Sequence, residues 1–531
     1  MREDASADAA ASKARPDGDQ REIELKLRMR PVDVKRLRAR LDRFGPGRTL
    51  RVDNVYFDTA QRHLGRARAA LRLRSLVQGR GRRWVQTLKT EPVAAALSER
   101  GEWETDAPGG RLDPARLAHS PLMQLLGGDS SVTRLAPVFR TGFDRTAWDV
   151  HFRGARVEAA IDIGSIEAGN RSEPICELEL ELRAGSAAAL VDLALALSAP
   201  ARAGGARLYL LPYGESKAAR GYRLAAGTDG GGIGVPDMRP AKFRLAPQKS
   251  VALAARHWLG ANLQILLDRV CLLQAQSDAQ EETEHVHQAR VALRRMRAGL
   301  DLLGTRAAIP ASLRASLRGW SDRVGLARGW DVLCTQTLPA LAMHVPGTDA
   351  RGWERIAANA QSRRLRARET LRRQLDAPEF AGFALRVLRW CHGAPGARSV
   401  TLAKFAPDAL RARRRKLSRS AGKLAGMTLV QQHKFRIQAK NLRYALEMLR
   451  GVVGKKEHRI DAKALARVQE CLGHARDASL AVQTVARLTR SARILQPLQA
   501  WATGEHDLQL AAAVREAARI RRERVRRERS D

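Results

Sequence analysis

Two hydrophobic periods divide the chain. From Arg21 to about Arg223 the alternation is mostly every second residue, as in Glu22-Ile-Glu-Leu-Lys26, Leu71-Arg-Leu-Arg74, Trp84-Val-Gln-Thr-Leu88, Ile161-Asp-Ile163 and Glu177-Leu-Glu-Leu-Glu181. Residues i, i+2 and i+4 of a strand share a face, so these segments predict strands with one polar and one apolar side. Helical patterns interrupt them around 31–44 and 186–197. A Gly-rich run from Ala225 to Pro236 predicts a flexible linker. Beyond it the period becomes 3.6, strand signals almost vanish, and an all-helical region is expected.

The helical region repeats itself. His287, Arg290, Arg294 and Arg297 recur as His433, Arg436, Lys440 and Arg443 with the same spacing, and Ala289, Leu293, Met296, Leu300 and Leu303 correspond to Phe435, Ala439, Leu442, Leu446 and Leu449. Gly325-Leu-Ala-Arg328 is echoed by Gly473-His-Ala-Arg476. At 100° per residue each cationic set falls within an arc of roughly 80°, opposite the apolar set. Two copies of a helical unit, each a bundle, are predicted.

The expected divisions are a disordered leader (1–20), a strand-rich domain (21–225), a flexible linker (226–244), a helical domain (245–512) and a basic tail (513–531). The leader has no apolar h-region and is expected to be a disordered segment rather than a signal peptide. No apolar run approaches the roughly 18–20 residues that cross a bilayer, so no membrane partner is expected. Cys176, Cys271, Cys334, Cys391 and Cys471 have neither CxxC nor CxxH spacing, which argues against a disulfide framework or zinc site and fits a reducing cytoplasm.

Charge sharpens the division. The 531 residues carry a formal net charge of +38; residues 241–531 hold 55 Lys/Arg against 25 Asp/Glu, and residues 1–240 hold 39 against 31. Such an excess repels itself unless a polyanion neutralises it. A solvated basic surface, a nucleic acid or a phosphate polymer all satisfy that demand.

In the first half, Glu22, Glu24 and Lys26 share one strand face, Glu177, Glu179 and Glu181 another, and Arg72 and Arg74 form a basic counterpart. Carboxylates at that spacing repel unless solvent or a cation separates them, and Mg²⁺ is commonly shared between a few carboxylates and phosphate oxygens. Arginine forks and lysines suit the remaining phosphate charge. An ordinary antiparallel sheet with one wet face gives the same alternation. In the second half, two cationic stripes suit successive phosphates of a linear polymer. His287 and His433 become cationic donors below a pKa near 6.5. Arginine neighbours make metal binding by those histidines the poorer reading.

Specific motifs add to this. Glu22-Ile-Glu-Leu-Lys26 resembles the ExExK signature of the CYTH, or triphosphate tunnel metalloenzyme, superfamily. Tyr56-Phe-Asp-Thr59, Leu71-Arg-Leu-Arg74, Thr87-Leu-Lys89, Arg100-Gly-Glu-Trp-Glu104, Phe143-Asp-Arg145, Ile161-Asp-Ile-Gly164, Cys176-Glu-Leu-Glu-Leu-Glu181 and Ser216-Lys217 follow in the family's order. The resemblance implies an eight-stranded antiparallel β-tunnel with flanking helices. It implies that Glu22, Glu24, Asp162, Glu177, Glu179 and, less directly, Glu181 bind Mg²⁺ or Mn²⁺. Lys26, Arg72, Arg74, Lys89, Arg145 and Lys217 are then expected on phosphate oxygens. Glu22, Glu24 and Lys26 are the expected catalytic groups, Lys26 or another tunnel base orienting the attacking water. Inorganic triphosphate is the expected substrate, with thiamine triphosphatase or adenylate cyclase activity as the alternative within that family.

His287-Gln-Ala-Arg-Val-Ala-Leu-Arg-Arg-Met-Arg297 resembles the HxxRVxxRRxR signature of CHAD domains, and His433 to Tyr444, with Glu447, resembles the second signature. Gln469 to Gly473 and Asp477 fit a later segment. That resemblance implies two pseudo-symmetric helical bundles holding polyphosphate through His287, Arg290, Arg294, Arg295, Arg297, His433, Arg436, Lys440 and Arg443. One departure stands out: Arg328-Gly329 replaces the usual Arg-Asp, and Asp331, in the loop expected at 325–331, is the candidate replacement. A protein that only coats polyphosphate granules is the rival to an enzyme. Nucleic acid is not excluded.

Overall fold

The computed structural model describes residues 21–79, 81–90, 97–127, 134–202, 204–227, 245–274, 279–304, 306–344, 350–393, 400–452 and 455–528. The expected leader and most of the expected linker lie outside the described residues. Among these residues no helix is long and apolar enough to cross a membrane.

Strands β1 (Arg21–Met29), β2 (Arg48–Asp58), β3 (Ala69–Gln78), β4 (Gly81–Thr90), β5 (Leu97–Asp106), β6 (Ala136–Phe152), β7 (Ala155–Ala168), β8 (Arg171–Ala184) and β9 (Leu210–Pro212) form one antiparallel sheet. Their order is β5-β4-β3-β2-β6-β7-β8-β1-β9, and β5 also pairs with β1. The first eight strands therefore close on themselves, as the resemblance to the CYTH superfamily implies. Closure leaves no open edge among them. β5 takes the start of β1 and β9 its end, so β1 is shared between the ring and a short ninth strand.

Alternation then decides what faces where. Leu25, Leu27, Ile161, Leu178 and Leu180 are buried in an outer core with helix α1 (Val34–Leu41) and helix α2 (Ala187–Ser198). Their neighbours Glu24, Lys26, Asp162, Glu177 and Glu179 point to the opposite, inner face. At one end that inner face is apolar: Val52, Tyr56, Phe139, Phe143, Ile166 and Ile175 cluster with Tyr222. Tyr222 lies on helix α3 (Lys217–Ala226), which begins at the cap Ser216, whose hydroxyl accepts from the Ala219 amide at 3.1 Å. Phe139 stacks on Tyr56 (4.4 Å between centroids) and meets Tyr222 edge-on at 5.1 Å. Helix α3 thus plugs one end of the barrel and delivers Lys217 to its interior. Strand periodicity had hidden this helix.

The plug tolerates no extra atom at Gly221, where a Cβ would lie 2.1 Å from Phe139 Cε2. Gly221→Ala is expected to lower stability by about 1–3 kcal/mol, because the ring or the helix must give way. Urea unfolding measures it, and an unchanged midpoint contradicts the tight seat.

Helices α4 (Val251–Gln274), α5 (Ala279–Leu303), α6 (Ala311–Val332), α7 (Ala350–Leu375) and α8 (Pro378–His392) are followed by α9 (Leu402–Ala421), α10 (Leu429–Met448), α11 (Lys455–Val485) and α12 (Ala492–Glu528). The repeat is visible in the fold. The stripe-bearing helix is second in each set (α5, α10), and Arg328 and Arg476 lie on the third (α6, α11). The starts of α4 and α9 are tied by backbone bonds, Val251 N to Val400 O and Leu402 N to Lys249 O, both 2.9 Å. Residues 325–331, expected as a loop, are helical within α6 because their apolar positions continue its buried face through Val324 and Ala327. The basic run expected as a tail continues α12 to Glu528, and Ala513, Ala517 and Ile520 are buried in the main core.

The two domains are packed together. One apolar core runs from the outer face of the barrel into the helices, and α8 lies against α2 and β9. Arg389 Nε donates to Asp192 Oδ1 at 2.5 Å and Gln274 Nε2 to the Tyr209 hydroxyl at 2.9 Å, closing the rim.

Candidate functional site

Inside the barrel, neighbouring strands β7 and β8 bring Asp162, Glu177 and Glu179 together. Asp162 and Glu177 are direct cross-strand partners, and one carboxylate oxygen from each of the three lies within 4.8 Å of the others. Asp162 is fully buried and Glu177 nearly so. Anions this close in a dry site require cations. Lys217 Nζ supplies one: it donates to Asp162 Oδ2 at 2.7 Å and Glu179 Oε1 at 2.9 Å, and it ion-pairs with Glu177. Arg145 supplies another, with Nε 2.8 Å and Nη2 2.6 Å from the two Asp162 oxygens and Nη2 also on Glu179. Arg220 Nη1 reaches Glu177 Oε2 at 3.3 Å and its Nε reaches Glu173 Oε1 at 2.7 Å.

The carboxylates respond differently. Burial pushes Glu177 up, with Glu179 and Asp162 adding to the rise against Lys217 and Arg220. Burial acts on Glu179 too, but Lys217, Arg145 and Lys26 overcome it and hold the group well below the usual carboxylate range. Burial likewise opposes the charge on Lys217, and the three carboxylates outweigh it to hold the ammonium above its ordinary value. The spacing and oxygen donors of Asp162, Glu177 and Glu179 suit a hard divalent cation, and the ammonium among them shows that the pocket takes positive charge.

Opposite stands a basic wall. Arg72 reaches Glu102 Oε1 only at 3.7 Å, and its buried Nε and Nη2 have no hydrogen-bond partner among the described residues. Arg74 Nε donates to Asn54 Oδ1 at 2.9 Å, and Asn54 Nδ2 to Thr141 Oγ1 at 2.8 Å. Burial, then Arg72 and Arg145, push the Arg74 guanidinium down to about 10. Lys89 Nζ lies 3.1 Å from Glu102 Oε1. Buried donors in this state favour an anion with several acceptor oxygens.

The remaining expected residues are placed as follows. Lys26 Nζ donates to Glu24 Oε1 at 2.6 Å, both side chains buried. Glu22 pairs through its backbone with β5, and its side chain lies outside the described residues. Glu181 shares the inner face but is bound by Arg183, which also reaches Glu158 Oε2 at 2.7 Å. It stands apart from the carboxylate trio. Sequence reading had not assigned Arg220, Glu102, Glu104 or Asn54 to the site. Arg220 lies one helical turn after Lys217, a spacing legible only once α3 is recognised. Glu102 and Glu104 alternate on β5 as Glu177 and Glu179 do on β8.

In the helical domain α5 and α10 pack together, and their stripes converge. The charges that depress Arg290 after burial are Arg294, Arg328 and, from the other repeat, Arg436. Burial, then Arg436, Arg294 and Arg290, push Lys440 down to about 7. His287 lies by Arg328 and His433 by Arg476, and burial with those cations lowers both imidazoles. Asp477 opposes this excess at Arg290, Arg436 and Lys440. Three expected residues lie off the cluster. Arg295 Nη2 donates to Glu447 Oε1 at 2.7 Å and ties α5 to α10. Arg297 faces Asp301 with Arg314 and Arg413. Arg443 rests on the Tyr444 ring at 5.4 Å, whose other neighbour is Arg294 at 5.6 Å.

Residues 20–205 match the CYTH domain family and residues 264–486 the CHAD domain family. The inorganic triphosphatase of Haemophilus influenzae is 32% identical over 179 residues, which is 32% of this chain and 47% of that protein. The chain therefore spans about half the length of that curated relative. Among solved structures, the CHAD domain of the plant Ricinus communis is 25% identical, with 53% of this chain and 96% of that chain covered and a TM-score of 0.46. A Hippeastrum protein described as an adenylyl cyclase with a dominant triphosphatase activity is 23% identical over 31% of this chain and 80% of its own, with a TM-score of 0.23.

Proposed function

The chain joins a CYTH domain to a CHAD domain, and from that premise we propose that it hydrolyses inorganic triphosphate to diphosphate and phosphate inside the barrel while the helical domain holds polyphosphate. The observation behind this reading is the opposition of the Asp162, Glu177 and Glu179 cluster to Arg72, whose buried Nε and Nη2 lack hydrogen-bond partners among the described residues, and to the charge-depressed Arg74, within one closed ring of strands. Carboxylates alone would repel a phosphate and arginines alone would bind it inertly. Together they would hold a phosphate chain between anion-binding donors and a cation seat.

Asp162, Glu177 and Glu179, with Glu24 and Glu22 as further carboxylates of the same face, would hold Mg²⁺ or Mn²⁺. When bound, such a cation supplies charge neutralisation of phosphate oxygens and an acidified water. The protein's own groups do the rest. Arg72, Arg74 and Lys89 fix the phosphate chain from one wall, and Arg145 and Lys217 are positioned to stabilise negative charge on the transferred group. Lys26, whose ammonium is held by Glu24 Oε1 at 2.6 Å, would orient the attacking water, whose proton leaves with the phosphate product. The apolar plug of Tyr56, Phe139 and Tyr222 closes one end, so substrate enters from the other. The strongly basic helical domain joined to the barrel favours an inorganic phosphate chain over ATP or thiamine triphosphate. A cytoplasmic site at polyphosphate granules follows from the partner so proposed.

The test is a substrate panel of triphosphate, long-chain polyphosphate, thiamine triphosphate and ATP, each with Mg²⁺, Mn²⁺ and chelator. Cation-dependent phosphate release, fastest from triphosphate, is the expected outcome. Cyclic nucleotide from ATP overturns the hydrolytic reading, and granule binding without turnover of any substrate makes the protein a coat.

A further inference from the structure

The groove between the stripe-bearing helix and the helix after it is filled in the first repeat and open in the second. Aligned on the paired histidines, Thr283 of α5 stands where α10 has Leu429; aligned on Arg328 and Arg476, Asp331 of α6 stands where α11 has Ser479. In the first repeat two arginines of α7 occupy the place. Arg364 Nε and Arg368 Nε donate to Oδ1 of the fully buried Asp331, both at 2.8 Å, and Arg364 Nη2 donates to Thr283 Oγ1 at 2.8 Å. Leucine and serine at the matching positions give a guanidinium no anion, and a cavity of about 270 Å³ remains.

Helices α10 and α11 run past each other in opposite senses. Arg436 Nε donates to Gln469 O at 3.3 Å, and a Cβ on Gly473 would stand 2.7 Å from Arg436 Nη2, so this guanidinium lies across α11. One turn further, His433 and Arg476 line the cavity together, and beyond them Leu429, Val430 and Leu480 form its walls over the buried Leu472. Leu429, Val430 and Leu480 are exposed, which leaves an apolar surface in water that an apolar occupant would cover. Ser479 and Gln483 complete the lining, and no carboxylate belongs to it. Gln432 is already engaged, donating to Met427 O at 2.9 Å with its Oε1 3.1 Å from His506 Nε2 of α12. His433 Nδ1, by contrast, is buried without a hydrogen-bond partner among the described residues.

We propose that this cavity is a nucleotide site, taking the base of a nucleoside triphosphate whose phosphates lie on His433, Arg476 and Arg436. The proposal rests on the reading of the second stripe as phosphate-binding and adds an organic group to it. The volume is far above the roughly 30 Å³ of one water and near the lower end, about 300 Å³, of organic-ligand pockets, which also form between helices of bundles. It therefore suits a small flat group in the gap where the first repeat keeps planar guanidinium groups. Aliphatic walls sandwich a base, and the Gln483 amide and Ser479 hydroxyl can read its edge. An inorganic phosphate chain would use the cations and leave the walls wet; an alkyl chain would use the walls and leave the amide unmatched.

The test measures ATP and inorganic triphosphate binding to the full chain by calorimetry in EDTA, which withholds the cation proposed for the barrel. Ser479→Leu fills the cavity without changing charge; it should weaken ATP about tenfold and leave triphosphate as it was. Leu480→Gln, at an exposed position, should weaken ATP about threefold, again without effect on triphosphate. Arg476→Gln should weaken both. An azido-adenine analogue of ATP, photolysed on the full chain, should label residues 429–433 or 472–483, and Ser479→Leu should suppress that label. ATP binding untouched by Ser479→Leu and Leu480→Gln overturns the proposal, as do equal losses for ATP and triphosphate, a label confined to the barrel, or decyl phosphate binding more tightly than ATP. Absence of both triphosphate and long-chain polyphosphate binding in the unsubstituted protein is a different result and refutes the phosphate-holding role of the stripe. Should Ser479→Leu fail to fold, Leu480→Gln and the position of the label decide.

Discussion

Asp162→Asn is expected to slow triphosphate hydrolysis roughly 10²–10³-fold, the usual loss when a preorganised electrostatic group is removed from a dry site. It is also expected to cost stability. The fully buried Asp162 accepts both Arg145 nitrogens and the Lys217 ammonium. Asparagine keeps the shape but leaves the buried Lys217 and the half-buried Arg145 short of an anion, and breaking a buried ion pair from one side costs about 3–5 kcal/mol. Divalent cation should stabilise the variant less than it stabilises the parent, because one of its oxygen ligands is now neutral. Phosphate release and urea unfolding, with and without Mn²⁺, check each part. Glu181→Gln is the control: tied to Arg183 and away from the trio, it should retain activity within about threefold. Reversal of the two outcomes would relocate the cation seat.

The second large effect concerns pH. Lys440 is pushed down to about 7 by burial and by Arg436, Arg294 and Arg290, while Asp477 pulls the other way. In the unfolded chain the same ammonium titrates near 10.5. Between those values the folded protein has released a proton that the unfolded chain still binds, so stability of the unliganded protein rises with pH across this window. Binding has the opposite sign. A polyanion brings negative charge to Lys440 and draws the proton back, so association takes up protons and weakens as pH rises above 7. One linked proton sets the limit at about tenfold per pH unit. Calorimetry in two buffers of different ionisation enthalpy, from pH 6 to 9, measures the uptake. Lys440→Met should abolish most of it and flatten the profile. An unaltered profile in that variant would assign the proton elsewhere in the cluster.

Particular residues show what could be read from sequence and why. Glu177 and Glu179 were legible as inward-facing because strand alternation is strict: once Leu178 and Leu180 are committed to the outer core, their neighbours have one direction left. Arg290, Arg294, Arg436 and Lys440 were legible because a 3.6 period and an exact repeat constrain both copies at once. Lys217 was legible as a motif but not as the first residue of a helix, since the ten residues of α3 are ordinary in composition and their seat is fixed by Phe139 and Tyr56 from distant strands. Glu181 shows the limit of a shared face. It points the same way as Glu177 and Glu179, yet Arg183, two residues on, claims it.

Sequence alone determined the period of the strongly alternating segments, the inner and outer sets of those strands, the duplicated stripe and the sign of the charge in each half, because these depend on neighbours no more than a few residues apart. Tertiary structure decided which strands closed the ring, which carboxylates came within ligand distance, that the barrel and the helices share one core, and that Arg290 would face Lys440 across 150 positions of chain. Those outcomes are set by burial of surfaces remote in sequence, and burial also moves Lys440 to about 7. A local pattern names the groups present; only the exclusion of water around them fixes their charge.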